Sequence, residues 1–417
     1  MVRRGGRRLR PGPGLSGMAA RGRPWVGAAC IIRRAAAMCA PQAIKRECSM
    51  KSMSRRALVV GAGINGLCTA RALVHRGWEV KLLEAGPLPN PHAASHDFHR
   101  LIRPHYADHP VYASRFGAAL AAWEEVWRDL GATHYVPRGM VALSRAPGDW
   151  SERAGISLAA HGIAHSVLPA EELASRFPHL ETEGVRSALW TGQGGALLAD
   201  RILAGLAEWL AGRGVRLHPH TPVTGVDAAA GRVETPRGSF SADLVVLATG
   251  VTLPDISPVP VPGAEPRRCT VVYADIPPDL LPLWEDAPCW IDLGDGDDLW
   301  GMPPMLGLPA KFGCGLDTRA GDPAREREAS DADTDRILSH YLGRMKGAER
   351  FIPRATVANF YLMAEEERFF LRQQGRVISL SADSGHGFKF GALTGEDVAR
   401  AIEDDRVEET ARLLAAL

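Results

Sequence analysis

A glycine fingerprint constrains the fold of this chain more strongly than any other feature. The short apolar run at residues 57–60 leads directly into Gly61-x-Gly63-x-x-Gly66, and helical periodicity continues through Val74. Gly61 permits a sharp turn, Gly63 lets the backbone approach a pyrophosphate, and Gly66 lets the helix pack close to the strand. The helix N-terminus offers free N–H groups and a partial positive charge to phosphates. Strand, turn and helix in this order predict a dinucleotide-binding unit.

Two further strands support the same prediction. A second apolar run at residues 80–83 ends in Glu84, 18 residues after Gly66, where an acid fits hydrogen bonding to a ribose hydroxyl. A buried run at residues 242–249 delivers Gly250 to the carboxyl edge of the predicted sheet, where open α/β sheets bind ligands. The alternative is a glycine-rich turn in an unrelated α/β domain, which explains the glycines alone.

The charge distribution separates a basic leader from an acidic body. The chain has 417 residues, enough for a large core in two domains. Residues 1–56 hold 12 Arg, 2 Lys and one acid, Glu47, a net charge of +13, so the other 361 residues carry −12. An acidic body without basic-aromatic stripes argues against nucleic-acid binding.

The leader, residues 1–54, is rich in Arg, Gly, Pro and Ala, and we predict that it is disordered. Its lack of acids resembles a mitochondrial transit peptide, but translated upstream sequence before a start at Met50 or Met53 is an equally good interpretation. Its longest apolar run, residues 25–32, is too short to span a bilayer. Seven cysteines without a C-x-x-C pair argue against a zinc site and a disulfide framework, and favour a reducing, cytoplasmic location.

Three separated segments together resemble one protein family. They are residues 59–67 with Leu83-Glu84, residues 95–103 (SHDFHRLIR) and residues 385–389 (GHGFK). In this order they resemble the FAD-dependent amino-acid oxidase superfamily, most closely its monomeric sarcosine oxidase and N-methyltryptophan oxidase branch. The fingerprint alone indicates FAD or NAD, whereas the GHGFK segment and the paired arginines are much more specific. The similarity extends from residue 55 to about residue 405.

The resemblance implies an α/β fold with two domains. One is a Rossmann-like FAD-binding domain, and the second is an α+β substrate domain built on a large mixed sheet. The FAD-binding domain is predicted to be discontinuous, formed by residues 55–135, 190–263 and 364–417. The substrate domain is predicted to consist of residues 136–189 and 264–363.

The resemblance also implies which residues contact the cofactor. They are Gly61, Gly63, Ile64, Asn65, Gly66, Glu84, Ala85, Ser95, Arg100, Val223, Gly250, Gly385, His386, Gly387, Phe388 and Lys389. The sarcosine oxidase branch attaches its flavin to a cysteine two residues before the tyrosine matched by Tyr361, and that position is Asn359 here. An amide cannot form a thioether, so we expect FAD to be held non-covalently unless Cys314 is unexpectedly placed to serve instead.

Six residues are implied to act on the substrate or on oxygen: Lys311, Arg100, Arg103, Lys389, Tyr361 and Trp300. Arg103 and Lys389 match the pair that binds the substrate carboxylate, and an arginine can hold a carboxylate through two hydrogen bonds. Lys311 matches a lysine that promotes the reaction with oxygen, because a cation stabilises developing superoxide. The alternatives are solvated loop charges for the arginines, a surface position for Lys311 and core positions for the two aromatic residues.

Other features narrow the reaction class. The family histidine four residues beyond the oxygen-activating lysine is Gly315 here, so substrate preference does not carry over. A run of histidines between His92 and His109 matches no standard ligand spacing, so we expect no metal site. The chain has no G-x-S-x-G pattern that would support a hydrolase.

We therefore expect an FAD-dependent oxidoreductase that oxidises the C–N bond of a small secondary or N-methyl amino acid to an imine. Molecular oxygen is the expected acceptor, giving hydrogen peroxide, and the protein is expected to be a monomer or small homo-oligomer. One alternative is a dehydrogenase that passes electrons to a quinone or an electron-transfer protein. Another is a flavin-binding module without turnover, such as a tRNA-modification component.

Overall fold

The structure is a computed structural model that describes residues 55–293 and 296–415. The predicted leader, residues 1–54, lies outside this part. The strands are β1 (Arg56–Val60), β2 (Glu79–Leu83), β3 (Arg100–Ile102), β4 (Tyr135–Pro137), β5 (Met140–Ser144), β6 (Ser166–Pro169), β7 (Ser187–Thr191), β8 (Gly195–Leu197), β9 (Arg216–His218), β10 (Gly225–Asp227), β11 (Arg232–Thr235), β12 (Gly238–Ser241), β13 (Leu244–Leu247), β14 (Glu265–Asp275), β15 (Cys289–Asp292), β16 (Leu299–Met302), β17 (Ala310–Cys314), β18 (Arg319–Ala320), β19 (Ile352–Met363), β20 (Phe370–Gln374) and β21 (Val377–Ser381). The α-helices are α1 (Ile64–His75), α2 (Pro110–Leu130), α3 (Trp150–Ala160), α4 (Ala170–Arg176), α5 (Ala199–Gly212), α6 (Leu253–Ile256), α7 (Asp331–Ser339), α8 (Gly391–Glu403) and α9 (Val407–Ala415).

One sheet is largely parallel and has the strand order β20-β21-β13-β1-β2-β9 among the described residues. All neighbouring pairs are parallel except β20 with β21. The central strands β1, β13 and β21 are continuous apolar or small runs that are almost entirely buried, as expected for strands covered on both faces. Helices α1 and α8 pack so closely that a Cβ at Gly395 would overlap the backbone of Cys68.

A larger mixed sheet has the order β18-β14-β17-β16-β15-β5-β7-β6, with β19 paired to the long strand β14. Only β5 and β15 are parallel among its described pairs. The core beneath it contains several large aromatic side chains, including Trp284, Trp290, Phe312 and Tyr341. The two sheets match the predicted α/β class with a large mixed sheet. The exact domain boundaries stay a prediction, and β7 runs two residues past residue 189.

Two small antiparallel sheets complete the strand pairing of the described residues, β3-β8-β4 and the meander β10-β11-β12. Strand β3 carries the start of the paired-arginine segment, and the sequence pattern did not predict it. Three residues are too few for alternation to be visible, so only pairing with β8 defines this strand. Within the described chain, no helix is both long enough and apolar enough to cross a membrane.

Candidate active site and cofactor cradle

The fingerprint turn has the local geometry that its glycines predict. Gly61 has φ +100°, and a Cβ there would overlap the carbonyl oxygen of Ala248. A Cβ on Gly66 would overlap the carbonyl oxygen of Gly61, so the helix could not approach the turn. At Gly63, which precedes α1, the nearest neighbour of an added Cβ is the Ser95 hydroxyl at 3.2 Å. Gly61 and Gly66 are therefore required by the turn itself.

Glu84 organises the loop that follows β2. Its buried carboxylate accepts hydrogen bonds from the backbone N–H of Ala62 at 2.7 Å and of Gly86 at 2.9 Å, and from the Asn90 amide at 2.8 Å. These contacts connect the fingerprint turn to the loop beyond β2. Since a carboxylate offers about four lone-pair sites, acceptor capacity remains for a ribose hydroxyl.

A cavity of about 430 Å³ opens where β1, β13 and β21 end. The predicted cofactor residues that line it are Gly61, Gly63, Ile64, Asn65, Glu84, Ala85, Ser95, Val223, Gly250 and Phe388. Gly66 and Gly387 do not line it; a Cβ on Gly387 would overlap the carbonyl oxygen of Ala382, so this glycine serves the turn after β21. The cavity thus lies at the carboxyl edge of the parallel sheet, as the fold predicts.

This cavity fits a dinucleotide by the groups that it presents. The side-chain oxygens of Asn65 and Thr249 are buried and have no hydrogen-bond partner within the described chain. The sequence reasoning missed many other lining residues, among them the polar residues Asn90, Thr249, Arg327 and Asp383. Arg327 lies in a charged stretch that predicts exposure, yet it donates to the carbonyl of His92 at 3.0 Å. Only the position of Thr249 next to Gly250 carried a sequence signal.

A second cavity of about 210 Å³ adjoins the first, and Phe388 borders both. It is lined by Arg100, Leu101, Arg103, Ile291, Leu293, Asp298, Trp300, Lys311, Gly385, His386, Phe388 and Lys389. The structure therefore brings together both paired arginines, Lys311 and the GHGFK segment, which are separated by up to 289 residues in the chain. Four cationic side chains converge here, which favours an anionic group in the ligand.

Lys311 lies in a buried cluster of charges. Its Nζ donates to Asp97 Oδ2 at 2.6 Å and to the carbonyl of His99 at 3.0 Å, and the side chain is fully buried. The Tyr273 hydroxyl donates to the other carboxylate oxygen, and Arg100 lies 3.1 Å from Oδ2. Burial lowers the pKa of Lys311 to about 8, although Asp97 opposes the fall. The surface-lysine interpretation is therefore wrong.

Burial acts on Asp97 in the opposite direction. It would raise the pKa of this carboxyl, but the charges of Lys311 and Arg100 and the hydrogen bonds from Lys311 and Tyr273 outweigh it. The pKa of Asp97 consequently lies well below its ordinary value. The ion pair with Lys311 therefore predominates at neutral pH, which lies below the pKa of about 8 of Lys311.

Arg103 and Lys389 form a second cationic pair at the other side of the cavity. The Arg103 guanidinium lies 4.7 Å from the ring centre of Tyr106, and Lys389 Nζ lies 5.7 Å from the same ring centre. Lys389 donates to the carbonyl of His386 at 3.1 Å, and Arg103 Nη1 is buried without a hydrogen-bond partner in the described chain. Burial and the neighbouring Arg103 hold the pKa of Lys389 well below its ordinary value. A bound anion would relieve both effects.

The two predicted aromatic residues take different positions. Trp300 lines the 210 Å³ cavity, and its ring centre is 5.8 Å from Lys311 Nζ. Tyr361 does not line it; its ring lies behind Gly385, where an added Cβ would be 3.3 Å from the ring. Asn359 is buried with an unpartnered amide nitrogen among the described residues, and it stands opposite Cys269 in the β14–β19 register.

Among the described residues, one group of His, Cys, Asp or Glu side chains could hold a metal ion. It consists of Cys314, Asp317 and His340. Asp317 already pairs with Arg336 at 2.8 Å and with His340 at 3.0 Å. No such cluster forms among the histidines between residues 92 and 109, which all lie in the described part of the chain. Cys314 lines neither the 430 Å³ nor the 210 Å³ cavity.

Comparisons with known proteins agree with this architecture. Residues 56–401 match the family model described as FAD dependent oxidoreductase. The chain is 24% identical to peroxisomal sarcosine oxidase of Mus musculus, over 82% of this chain and 90% of that protein. It is 26% identical to monomeric sarcosine oxidase of Streptomyces avermitilis, over 82% of this chain and 92% of that protein.

A solved structure shares the fold. NikD, an unusual amino acid oxidase essential for nikkomycin biosynthesis, is 20% identical and superimposes with a TM-score of 0.72, covering 84% of this chain and 95% of that one. The predicted fold class and family are thereby confirmed. The chain belongs to the FAD-dependent oxidoreductase family and is an enzyme of its amino-acid oxidase type.

Proposed function

We propose that this enzyme oxidises the C–N bond of a small secondary or N-methyl amino acid to an imine, with oxygen as the electron acceptor. The convergence of Arg103 and Lys389 in a small cavity beside the cofactor cradle carries this proposal. A carboxylate is the anion that such a pair would hold in an amino acid. The sarcosine oxidases among the relatives support an N-methyl amine as substrate.

The cofactor would lie across the two cavities. The fingerprint turn and the N-terminus of α1 would hold the pyrophosphate, and Glu84 the ribose. FAD bound there would supply the acceptor for a hydride equivalent from the substrate carbon and the route of electrons to oxygen. Asn359 supports non-covalent binding, since its amide cannot form a thioether.

The chain's own residues would prepare the substrate for this transfer. Arg103 and Lys389 fix the carboxylate and so orient the neighbouring C–N bond. Leu101, Ile291 and Trp300 line the same cavity, and their apolar surfaces would exclude water around a bound substrate. A dry environment favours the neutral amine that the reaction needs. Lys311, held by Asp97, presents a cation toward the oxygen reaction.

The test begins with the cofactor. Acid precipitation of the purified yellow protein should release the flavin into the supernatant. N-methyl and cyclic amino acids are then screened for anaerobic bleaching of the flavin absorbance, followed by oxygen uptake and peroxide formation. If no amino acid bleaches the flavin, the proposed function is wrong.

One observation favours a second candidate, a dehydrogenase that passes electrons to a quinone or an electron-transfer protein. Asp97 lies 2.6 Å from Lys311 and offsets the charge that would favour superoxide. A slow reaction of the reduced enzyme with oxygen, together with rapid reduction of a quinone analogue, would select this candidate. Rapid oxygen uptake with substrate would exclude it.

A further inference from the structure

A carboxylate interrupts the cationic lining of the 210 Å³ cavity. Among the described residues that line it, Asp298 is the one acid, and four cations share the cavity with it. Its carboxylate makes no hydrogen bond or ion pair with any residue in the ranges 55–293 and 296–415. By contrast, Arg100 and Lys311 pair with Asp97, and Lys389 donates to the carbonyl of His386. An unpaired, half-buried carboxylate that lines a cavity is suited to bind a positive ligand group.

The backbone of the neighbouring strand makes room for this carboxylate. Gly315 follows β17, and its N–H donates to the Asp298 carbonyl at 2.7 Å. A Cβ at Gly315 would overlap Asp298 Oδ2. The glycine therefore leaves space that the Asp298 carboxylate fills, and any other side chain at position 315 would displace it.

The charges that line the cavity make Asp298 suited to distinguish zwitterionic amino acids from simple carboxylates. Arg103 and Lys389 alone would accept any carboxylate, whether or not it carries an amine. Burial raises the pKa of Asp298, and Arg103 opposes the rise. Arg103 is near enough to act on Asp298 yet makes no ion pair with it in the described chain. A zwitterion could therefore place its carboxylate on Arg103 and Lys389 and its ammonium on Asp298.

We propose that Asp298 recognises the positively charged nitrogen of the substrate and selects zwitterionic amino acids over simple carboxylates. This inference rests on the proposed function for the carboxylate pair Arg103 and Lys389. It assigns Asp298 to binding of the protonated amine in the first complex. The amine then loses its proton before oxidation, and Asp298 is the one carboxylate among the described residues that line the cavity.

The experiment compares two ligands of nearly equal shape that cannot be oxidised at the carbon beside the carboxylate. They are 2-aminoisobutyrate and pivalate, which differ by an ammonium in place of a methyl group. Their affinities for the FAD-loaded enzyme are measured by calorimetric titration. We expect the Asp298→Asn variant to reduce the ratio of the two affinities at least about tenfold, by weakening 2-aminoisobutyrate alone.

A matched control is Asp297→Asn, since the Asp297 carboxylate pairs with Arg344 and does not line the cavity. This variant should keep the wild-type ratio. Thermal unfolding and flavin content verify that both variants fold. An unchanged ratio in Asp298→Asn, or no binding of 2-aminoisobutyrate by the wild-type enzyme, would overturn the inference.

The outcomes separate this inference from the proposed function. If no amino acid bleaches the flavin but the affinity ratio depends on Asp298, the proposed oxidation fails while the recognition of the ammonium stands. If N-methyl amino acids bleach the flavin and Asp298→Asn keeps the ratio, only the role of Asp298 fails.

Discussion

Single charged residues decide what each cavity can do. Lys311 and Asp97 form a buried ion pair, whereas Arg103 and Lys389 stand as cations without a carboxylate partner among the described residues. The paired lysine is suited to a fixed electrostatic role, and the unpaired cations are suited to ligand binding. A buried cation can therefore serve either use, and the presence of a neighbouring carboxylate decides which.

Replacing Lys311 by methionine separates the two half-reactions. Lys311→Met keeps the volume of the buried side chain but removes its charge, so reoxidation by oxygen should slow about 100-fold while flavin reduction changes much less. Stopped-flow absorbance measures both rates separately. Equal rates in variant and wild type for both half-reactions would remove Lys311 from the oxygen reaction.

The pH dependence of reoxidation should report the protonation of Lys311. Its pKa is lowered to about 8, so the cation is present below pH 8 and is lost as pH rises above it. Reoxidation of the pre-reduced enzyme should therefore slow above about pH 8. Asp97, Arg100 and Cys269 act on this ammonium group, and Asp97 raises its pKa. Asp97→Asn should move the midpoint to lower pH, and an unmoved midpoint would contradict this assignment.

At the scale of elements, the strand–turn–helix unit depends on close approach between backbone segments. A Cβ on Gly66 would overlap the carbonyl of Gly61, so α1 would have to move away from the turn. Gly61 and Gly66 are therefore required together by the strand–turn–helix unit, and are not two independent preferences. The turn after β17 works similarly, since Gly315 leaves space for the Asp298 carboxylate just before β16.

Gly66→Ala tests this packing. We expect it to lower the free energy of unfolding by roughly 1–3 kcal/mol, as overpacking usually does, and to weaken FAD binding. Thermal unfolding with and without added FAD measures both effects. Gly117→Ala in α2 is the matched control, because nothing lies within 4 Å of the added Cβ, and alanine should stabilise a helix interior by about 0.5–1 kcal/mol.

At the scale of the whole molecule, two sheet systems meet around cavities that neither could form alone. Strands β1, β13 and β21 end at the 430 Å³ cavity, and β16 and β17 supply Trp300 and Lys311 to the smaller one. The segment at residues 385–389 reaches both cavities through Phe388. Cofactor binding should therefore stabilise the entire fold and not the fingerprint unit alone.

Non-covalent FAD makes this stabilisation measurable. Removal of FAD should lower the melting temperature, and added FAD should restore it in a concentration-dependent way, by about 2.7 kcal/mol at a hundredfold excess over Kd. Differential scanning calorimetry of the stripped and reloaded protein measures the effect. Flavin that stays on the precipitated protein after acid treatment would contradict non-covalent binding.

The sequence by itself determined the nucleotide-binding unit and the family. The roles of Gly61 and Gly66 follow from local backbone geometry, and Glu84 follows β2 directly, so all three are readable from adjacent residues. The long helix α2 and the central strands of the parallel sheet were equally visible, because periodicity over many residues reflects burial.

Tertiary structure alone decided the electrostatics. The pairing of Asp97 with Lys311 joins residues 214 positions apart, and the sequence gives no sign that this lysine is fully buried. Asp298 acquires its place only because Gly315, just after β17, leaves room for it. Local patterns record which face of an element is apolar, but the energy of a buried charge depends on partners that only the folded chain brings within a few ångströms.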